Sequence, residues 1–105
     1  MTVDTDLEIP GALKAAAEPL RWQILVALSR EELCVCHLTE DLGVPQPLIS
    51  HHLRVLRDAG LVTSEKWRYW TYYRINPTTV AALAGRLTTM ATDAPAPSSQ
   101  RRACC

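Results

Sequence analysis

The hydrophobic pattern of this chain changes its period at Gly60, and that change restricts the fold more than any other feature. Before Gly60, inward-facing apolar residues recur every three or four positions, as on an amphipathic helix. These residues are Ile49, Leu53 and Leu56. After it, residues 61–65 and 70–75 are rich in β-branched and aromatic side chains of near-alternating polarity, which predicts two antiparallel strands. We therefore expect a helix that leads directly into a hairpin, with a loop near 66–69.

Further helical patterns surround this unit. Helices are predicted at 11–17, 19–29, 35–42, 46–59 and 78–90. Gly43 suits a left-handed stop after the third helix, and the short connection that follows makes the third and fourth helices a helix-turn-helix. With the hairpin, this order predicts a mainly α chain with a small β-hairpin, the winged helix-turn-helix fold. Residues 1–90 would form one DNA-binding and dimerisation domain, and residues 91–105 a flexible tail.

The chain has no net charge, but its charges are unevenly distributed. Residues 1–45 have a net charge of −5, whereas residues 46–75, which hold the fourth helix and the hairpin, have a net charge of +3. A DNA-binding protein needs a local basic surface rather than a basic total. The middle of the chain is therefore compatible with a nucleic-acid partner.

The second helix of a helix-turn-helix lies in the major groove, with its first turns against the base edges. Its polar face here supplies candidates for base contacts (Gln46 and His51) and for phosphate contacts (Ser50 and Arg54). Long cations at the hairpin tip could reach the backbone or the minor groove. The full set of predicted DNA contacts is Gln46, Pro47, Ser50, His51, Arg54, Lys66 and Arg68. His52 falls nearer the packed side and is expected to be structural.

The four cysteines occur as two pairs: Cys34 and Cys36 flank one residue, and Cys104 and Cys105 end the chain. No apolar stretch approaches the roughly 20 residues of a membrane span, and the acidic N-terminus does not resemble a signal peptide. We therefore expect a cytoplasmic protein with no membrane partner. In that compartment, cysteines more often bind metal or act in redox chemistry than form structural disulfides.

Two segments resemble the ArsR/SmtB family of metal-responsive repressors. Residues 33–43 read LCVCHLTEDLG and residues 46–62 read QPLISHHLRVLRDAGLV. The ELCVC run that starts at Glu32 is similar to the arsenic-sensing branch in particular. The resemblance, which covers roughly residues 10–90, implies a homodimer joined through its first and last helices and bound to double-stranded operator DNA. It also implies that inducer binding lowers the DNA affinity and starts transcription of a resistance operon.

Three positions depart from the family pattern. Thr39 stands where the arsenic branch has a third cysteine, His37 stands where aspartate is common, and Arg68 stands at the wing tip where many relatives have glycine. The first departure leaves the third ligand open. We expect Cys34 and Cys36 to bind the inducer together with one or both tail cysteines, Cys104 and Cys105. The tail pair could instead form a separate trap, and His37 could be a zinc or cadmium ligand, although a solvated position on the helix is the simpler expectation.

Soft thiolates select soft ions, so As(III) or Sb(III) is the expected inducer. Successive residues of a helix are about 100° apart, so two cysteines separated by one residue point about 200° apart if both lie in a regular helix. On that premise, a common ion would have to distort the first turn of helix 35–42.

Three other interpretations remain open. A Cd(II) or Pb(II) sensor would use the same thiols. A redox repressor would form disulfides, and a zinc-stabilised interaction module would unfold on chelation. The sequence shows no phosphate loop, paired carboxylates or complete Cys-His constellation, so an enzyme is not expected.

Overall fold

The computed structural model describes residues 2–97 and 101–104, with side chains from residue 9 onward. In that part of the chain the backbone forms five helices and three strands. The helices are α1 (Thr2–Ala17), α2 (Pro19–Leu28), α3 (Val35–Leu42), α4 (Gln46–Asp58) and α5 (Pro77–Asp93). The strands are β1 (Leu33–Cys34), β2 (Val62–Trp67) and β3 (Trp70–Ile75). The mainly α fold with a helix-turn-helix and a wing is as predicted from the sequence.

The helix ends follow from local chemistry. Pro19 opens α2, and the preceding Glu18 caps it by accepting the Arg21 backbone N–H at 2.8 Å. Gly43 ends α3 at φ 67° and Gly60 follows α4 at φ 81°, both in the left-handed region that glycine adopts without steric cost. Asn76 caps α5, with its side-chain oxygen accepting the Thr78 N–H at 3.2 Å.

Both terminal helices are longer than predicted. The first begins at Thr2 rather than near residue 11 and continues past Pro10. The last continues to Asp93, three residues into the segment expected to be a tail. The reason is the same at both ends, since sequence pattern locates helix boundaries less well than helix interiors.

The sheet has the order β1-β3-β2 and is antiparallel throughout. The predicted hairpin pairs Val62 with Ile75 at its base and Trp67 with Trp70 at its tip. Strand β1 was not predicted, because two residues are too short to show an alternating pattern. It pairs Leu33 with Tyr73 and attaches the start of α3 to the wing.

The core joins the helix-turn-helix and the base of the hairpin into one unit. Its largest fully buried side chains are Ile24, Leu38, Ile49, Leu53, Leu56, Leu61 and Val62. The three α4 residues predicted to face inward are therefore confirmed. Helix α5 contributes no fully buried residue to this core within the described chain. Across the described residues, no helix has the length and hydropathy needed to cross a bilayer.

Candidate nucleic-acid interface and thiol site

Helix α4 presents a polar face opposite the side that it buries. Gln46, Pro47, His51 and Arg54 are exposed, and Ser50 is half-buried. The α3–α4 turn is tight, with the Gly43 N–H donating to the Thr39 carbonyl at 2.9 Å. Because α3 packs on α4, the orientation of the exposed face depends on α3. The geometry is that of a reading helix held by a supporting helix.

The wing tip presents the two predicted cations. Lys66 and Arg68 are exposed, and Arg68 and Tyr69 form the two-residue turn between β2 and β3. Arg68 has φ 59°, a left-handed conformation that a side chain adopts with strain. Its guanidinium carbon lies 4.7 Å from the centre of the Trp67 ring, a cation–π distance. A glycine at this position would adopt the left-handed turn without strain.

His52 is buried, as predicted, and links α4 to α2. Its Nδ1 lies 2.9 Å from Nη1 of Arg21, and because a guanidinium can only donate, Nδ1 is the acceptor. Burial lowers the pKa of His52 below its ordinary value of 6.5. Glu18 Oε1 lies 4.0 Å from the same nitrogen, but with a neutral imidazole this contact is not an ion pair at neutral pH. The pKa of Glu18 is itself lowered, chiefly by the Arg21 backbone N–H.

Cys34 lies at the junction of two elements. It is the second residue of β1, opposite Tyr72 of β3, and also the N-cap of α3, with an extended backbone at φ −94° and ψ 173°. Its side chain is buried at 6% exposure, whereas Cys36 in the first turn of α3 is exposed. Cys34 therefore precedes the helix. The premise that both cysteines belong to a regular helix is wrong, and the 200° argument for distorting that helix does not apply.

His37 is exposed but not simply solvated. Its Nδ1 accepts the Cys34 backbone N–H at 3.2 Å and lies 3.4 Å from the Cys34 Sγ. This is a capping-box arrangement, with the imidazole in the place usually taken by Glu or Gln at the third helical position. The His37 ring centre is 6.2 Å from that of Tyr72, so the imidazole also borders the wing strand.

The predicted metal ligands are not assembled in this structure. Cys104 is described, exposed and free, and Cys105 lies outside the described residues. Over the described part of the chain, no three or more His, Cys, Asp or Glu side chains are grouped as ligands for one ion. What the fold brings together in advance is a pair, the Cys34 thiol and the His37 imidazole. Sequence reasoning weighed His37 but missed this contact, although the three-residue separation of an N-cap and the third helical position could have indicated it.

Comparison with known proteins decides the family. Residues 18–64 match the model described as bacterial regulatory protein, arsR family. The arsenical resistance operon repressor of Bacillus subtilis is 42% identical over 71 residues, which cover 67% of this chain and 68% of that protein. This chain belongs to the ArsR family.

Other ArsR-family proteins agree in sequence and fold. The arsenic resistance transcriptional regulator of Pseudomonas putida is 42% identical over 69 residues, which cover 65% of this chain and 54% of that protein. A solved structure named as a possible transcriptional regulator for arsenical resistance is 34% identical with a TM-score of 0.67, covering 81% of this chain and 97% of that one. An ArsR-like regulator from a Rhodococcus species is 28% identical with a TM-score of 0.77, covering 86% and 85%.

The match to some curated relatives is partial. It spans only about half of the Pseudomonas regulator, at 54%, and 47% of a Mycobacterium tuberculosis repressor named SmtB. What the comparisons establish for this chain is therefore membership of the ArsR family and the winged helix-turn-helix fold.

Proposed function

We propose that this ArsR-family protein represses a resistance operon as a homodimer on operator DNA and releases the DNA when As(III) or Sb(III) binds Cys34 and Cys36. The observation that carries the proposal is the position of Cys34. Cys34 is part of β1, which pairs with wing strand β3, and it is also the N-cap of α3, the helix that packs on α4. A ligand bound there acts on both DNA-binding elements.

The DNA-binding half of the proposal rests on exposure and charge. The exposed face of α4 would contact base edges through Gln46 and His51, with Pro47 in the first turn, while Ser50 and Arg54 would contact phosphates. At the wing, Lys66 and Arg68 would reach the backbone or the adjacent minor groove. These cations neutralise phosphates, so the affinity should fall steeply with salt.

The inducer half rests on the donor chemistry. Thiolates are soft ligands that select thiophilic ions, and several relatives are named for arsenic or arsenical resistance, among them those of Bacillus subtilis and Pseudomonas putida. Binding at Cys34 would shift β1 against β3 and change the start of α3. A loss of affinity of about 5- to 150-fold, the usual range of allosteric coupling, would suffice for release. Cd(II) or Pb(II) at the same thiols is the second candidate, because these ions share the preference for sulfur.

The homodimer is supported by apolar surface on the terminal helices. Helices α1 and α5 contact each other, and three large apolar side chains on them are substantially exposed. They are Leu13 at 46%, Leu87 at 48% and Met90 at 62%. Burial against a second copy would remove this surface from water, and it would bring two reading helices into register with an inverted repeat.

The test is a DNA-binding titration of the reduced full chain against the DNA upstream of its gene, with As(III), Sb(III), Cd(II) and Pb(II) added separately. Cys34→Ser and Cys36→Ser should bind the DNA normally and fail to release it, whereas a Cys104→Ser/Cys105→Ser variant tests the tail. The proposal is wrong if both single variants still respond normally, or if peroxide without any ion releases the wild-type protein.

A further inference from the structure

An ion that takes three or four ligands is not saturated by the two thiols of Cys34 and Cys36. Another group must supply at least one further donor atom. Three residues after Cys36, about one turn further along α3, stands Thr39. The Thr39 hydroxyl is buried without a hydrogen-bond partner, but a neutral alcohol oxygen is a hard donor that does not replace a thiolate. The third donor must therefore come from another residue.

We propose that His37 supplies this donor through Nδ1, so that the inducer site is Cys34 Sγ, Cys36 Sγ and His37 Nδ1 within one turn at the start of α3. The inference rests on the proposed function for the two cysteines, and it replaces the tail cysteines as the third ligand. It assigns to His37 a binding role that its exposed position on α3 does not suggest.

The separation of the two preformed donors fits a shared ion. Zinc binds sulfur at about 2.3 Å and imidazole nitrogen at about 2.0–2.1 Å, so two such donors at a tetrahedral angle lie about 3.5 Å apart. The Cys34 Sγ and the His37 Nδ1 are 3.4 Å apart. An ion of the size of zinc could therefore replace the contact between these atoms with little movement of either side chain, and a larger ion would require the two donors to move slightly apart. The exposed Cys36 thiol, two residues after Cys34, would then close on the ion from the solvent side.

Binding at Nδ1 also explains how the ion could act on α3. Nδ1 now accepts the Cys34 backbone N–H, and the same lone pair cannot hold that hydrogen bond and an ion together. Each thiol gives up its proton on binding, whereas the imidazole binds through the lone pair it already presents. Loading the site therefore removes the side-chain acceptor from the N-cap amide of α3, where β1 and the helix-turn-helix meet.

The donor set has a consequence for ion preference. A divalent ion such as Cd(II) accepts imidazole beside thiolates, whereas As(III) is best satisfied by three thiolates. The His37 set should therefore bind Cd(II) well, and replacing the imidazole by a thiol should shift the preference toward As(III). His37→Cys provides that replacement, and His37→Gln provides the matched control, because Gln serves as the acceptor of a capping box but has no imidazole nitrogen.

The experiment titrates the reduced full chain with Cd(II) alone and follows thiolate-to-cadmium absorbance. In parallel, nitrogen NMR follows the His37 ring of the wild-type protein, which needs no variant to fold. We expect one equivalent of Cd(II) to shift the Nδ1 resonance strongly. His37→Gln should lower the Cd(II) affinity by at least about tenfold, since removing even an outer-shell partner of a metal site costs about 10- to 100-fold. His37→Cys should raise the ratio of As(III) to Cd(II) affinity.

The outcomes separate this inference from the proposed function. An unmoved Nδ1 resonance, or His37→Gln with wild-type affinity, overturns the role of His37 and leaves Cys34 and Cys36 as the sensor. A loss of affinity in the Cys104→Ser/Cys105→Ser variant, with none in His37→Gln, assigns the third donor to the tail and likewise overturns it. If instead Cys34→Ser and Cys36→Ser bind Cd(II) as the wild type does, the proposed function itself fails.

Discussion

The guanidinium of Arg21 in α2 donates to Nδ1 of His52 in α4 across 2.9 Å, and this bond holds the reading helix against the second helix of the core. Arg21 is itself fixed, since its Nε donates to the Ala15 carbonyl at 2.7 Å. The arrangement requires a neutral imidazole, because a protonated Nδ1 would have no lone pair to accept the bond.

A first prediction concerns pH. The folded-state pKa of His52 is lowered by burial below 6.5, so between the lowered pKa and 6.5 the unfolded chain binds more protons than the folded one. The contribution of His52 to stability is therefore present above the unfolded-state pKa. It is lost as the pH falls through 6.5 toward the folded-state pKa, below which the loss is complete.

The groups that face His52 are Glu18, which opposes this effect, and Arg21 and His51, which add to it. Urea unfolding from about pH 8 to about pH 5, the range in which histidine titrates, should show the loss in the wild type. His52→Asn, whose amide oxygen can accept from Arg21, should show a smaller loss of stability on acidification. His51→Asn should show nearly the same loss as the wild type. If the free energy of unfolding depends equally on pH in the wild type and in His52→Asn, this account is contradicted.

A second prediction concerns the wing turn. Arg68→Asn and Arg68→Gly both remove the cation, and both residues tolerate the left-handed conformation seen at φ 59°. We expect the folded chain to be as stable or more stable, while the affinity for the operator falls. The slope of log affinity against log salt concentration should decrease in magnitude by about two, one for each protomer of the proposed dimer. Arg68→Lys keeps the charge and serves as the control. An unchanged salt slope in Arg68→Asn would show that this residue does not contact phosphate.

A third prediction concerns the coupling of the thiol site to the wing. Tyr72 pairs with Cys34 on one side and with Glu65 of β2 on the other. Tyr72→Val keeps a strand-forming residue and removes the ring beside His37. It should leave the affinity for DNA nearly unchanged without an ion and reduce the ion-induced loss by about 2- to 30-fold, as coupling mutations of about 0.5–2 kcal/mol do. Thr71→Val is the control on the same strand, and an undiminished response in Tyr72→Val would exclude this route.

A fourth prediction concerns the dimer. Leu87 and Met90 share the face of α5 that carries the half-buried Val80 and Leu83, whereas the exposed Thr88 lies about 100° around the helix from Leu87, outside that face. Leu87→Glu should raise the dimer dissociation constant by about 10- to 100-fold. Each protomer exposes about half of its Leu87, and burial of these two halves in the dimer is together worth about 1.5–3 kcal/mol. Thr88→Glu should not change the dissociation constant. Analytical ultracentrifugation measures both, and a Leu87→Glu protein that remains a wild-type dimer would place the interface elsewhere.

The sequence predicted what depends on local pattern. The inward positions of α4, the left-handed stop at Gly43 and the hairpin at the change of period were all confirmed, because each is determined by residues within a few positions of one another. The buried, structural role of His52 followed from its place on the apolar side of the same helix. Strand β1 was missed for a local reason as well, since Leu33 and Cys34 are too few to show a period.

The sequence alone determined the family, the order of helix-turn-helix and wing, and the residue types available to bind DNA and a soft ion. Only the tertiary structure decided that Cys34 precedes α3 instead of belonging to it, that Tyr72 lies opposite it, and that Arg21 reaches His52. These contacts join segments up to 38 residues apart in the case of Cys34 and Tyr72. Periodicity reports which face of an element is buried, but the partner on that face is chosen by how the elements pack around a shared core.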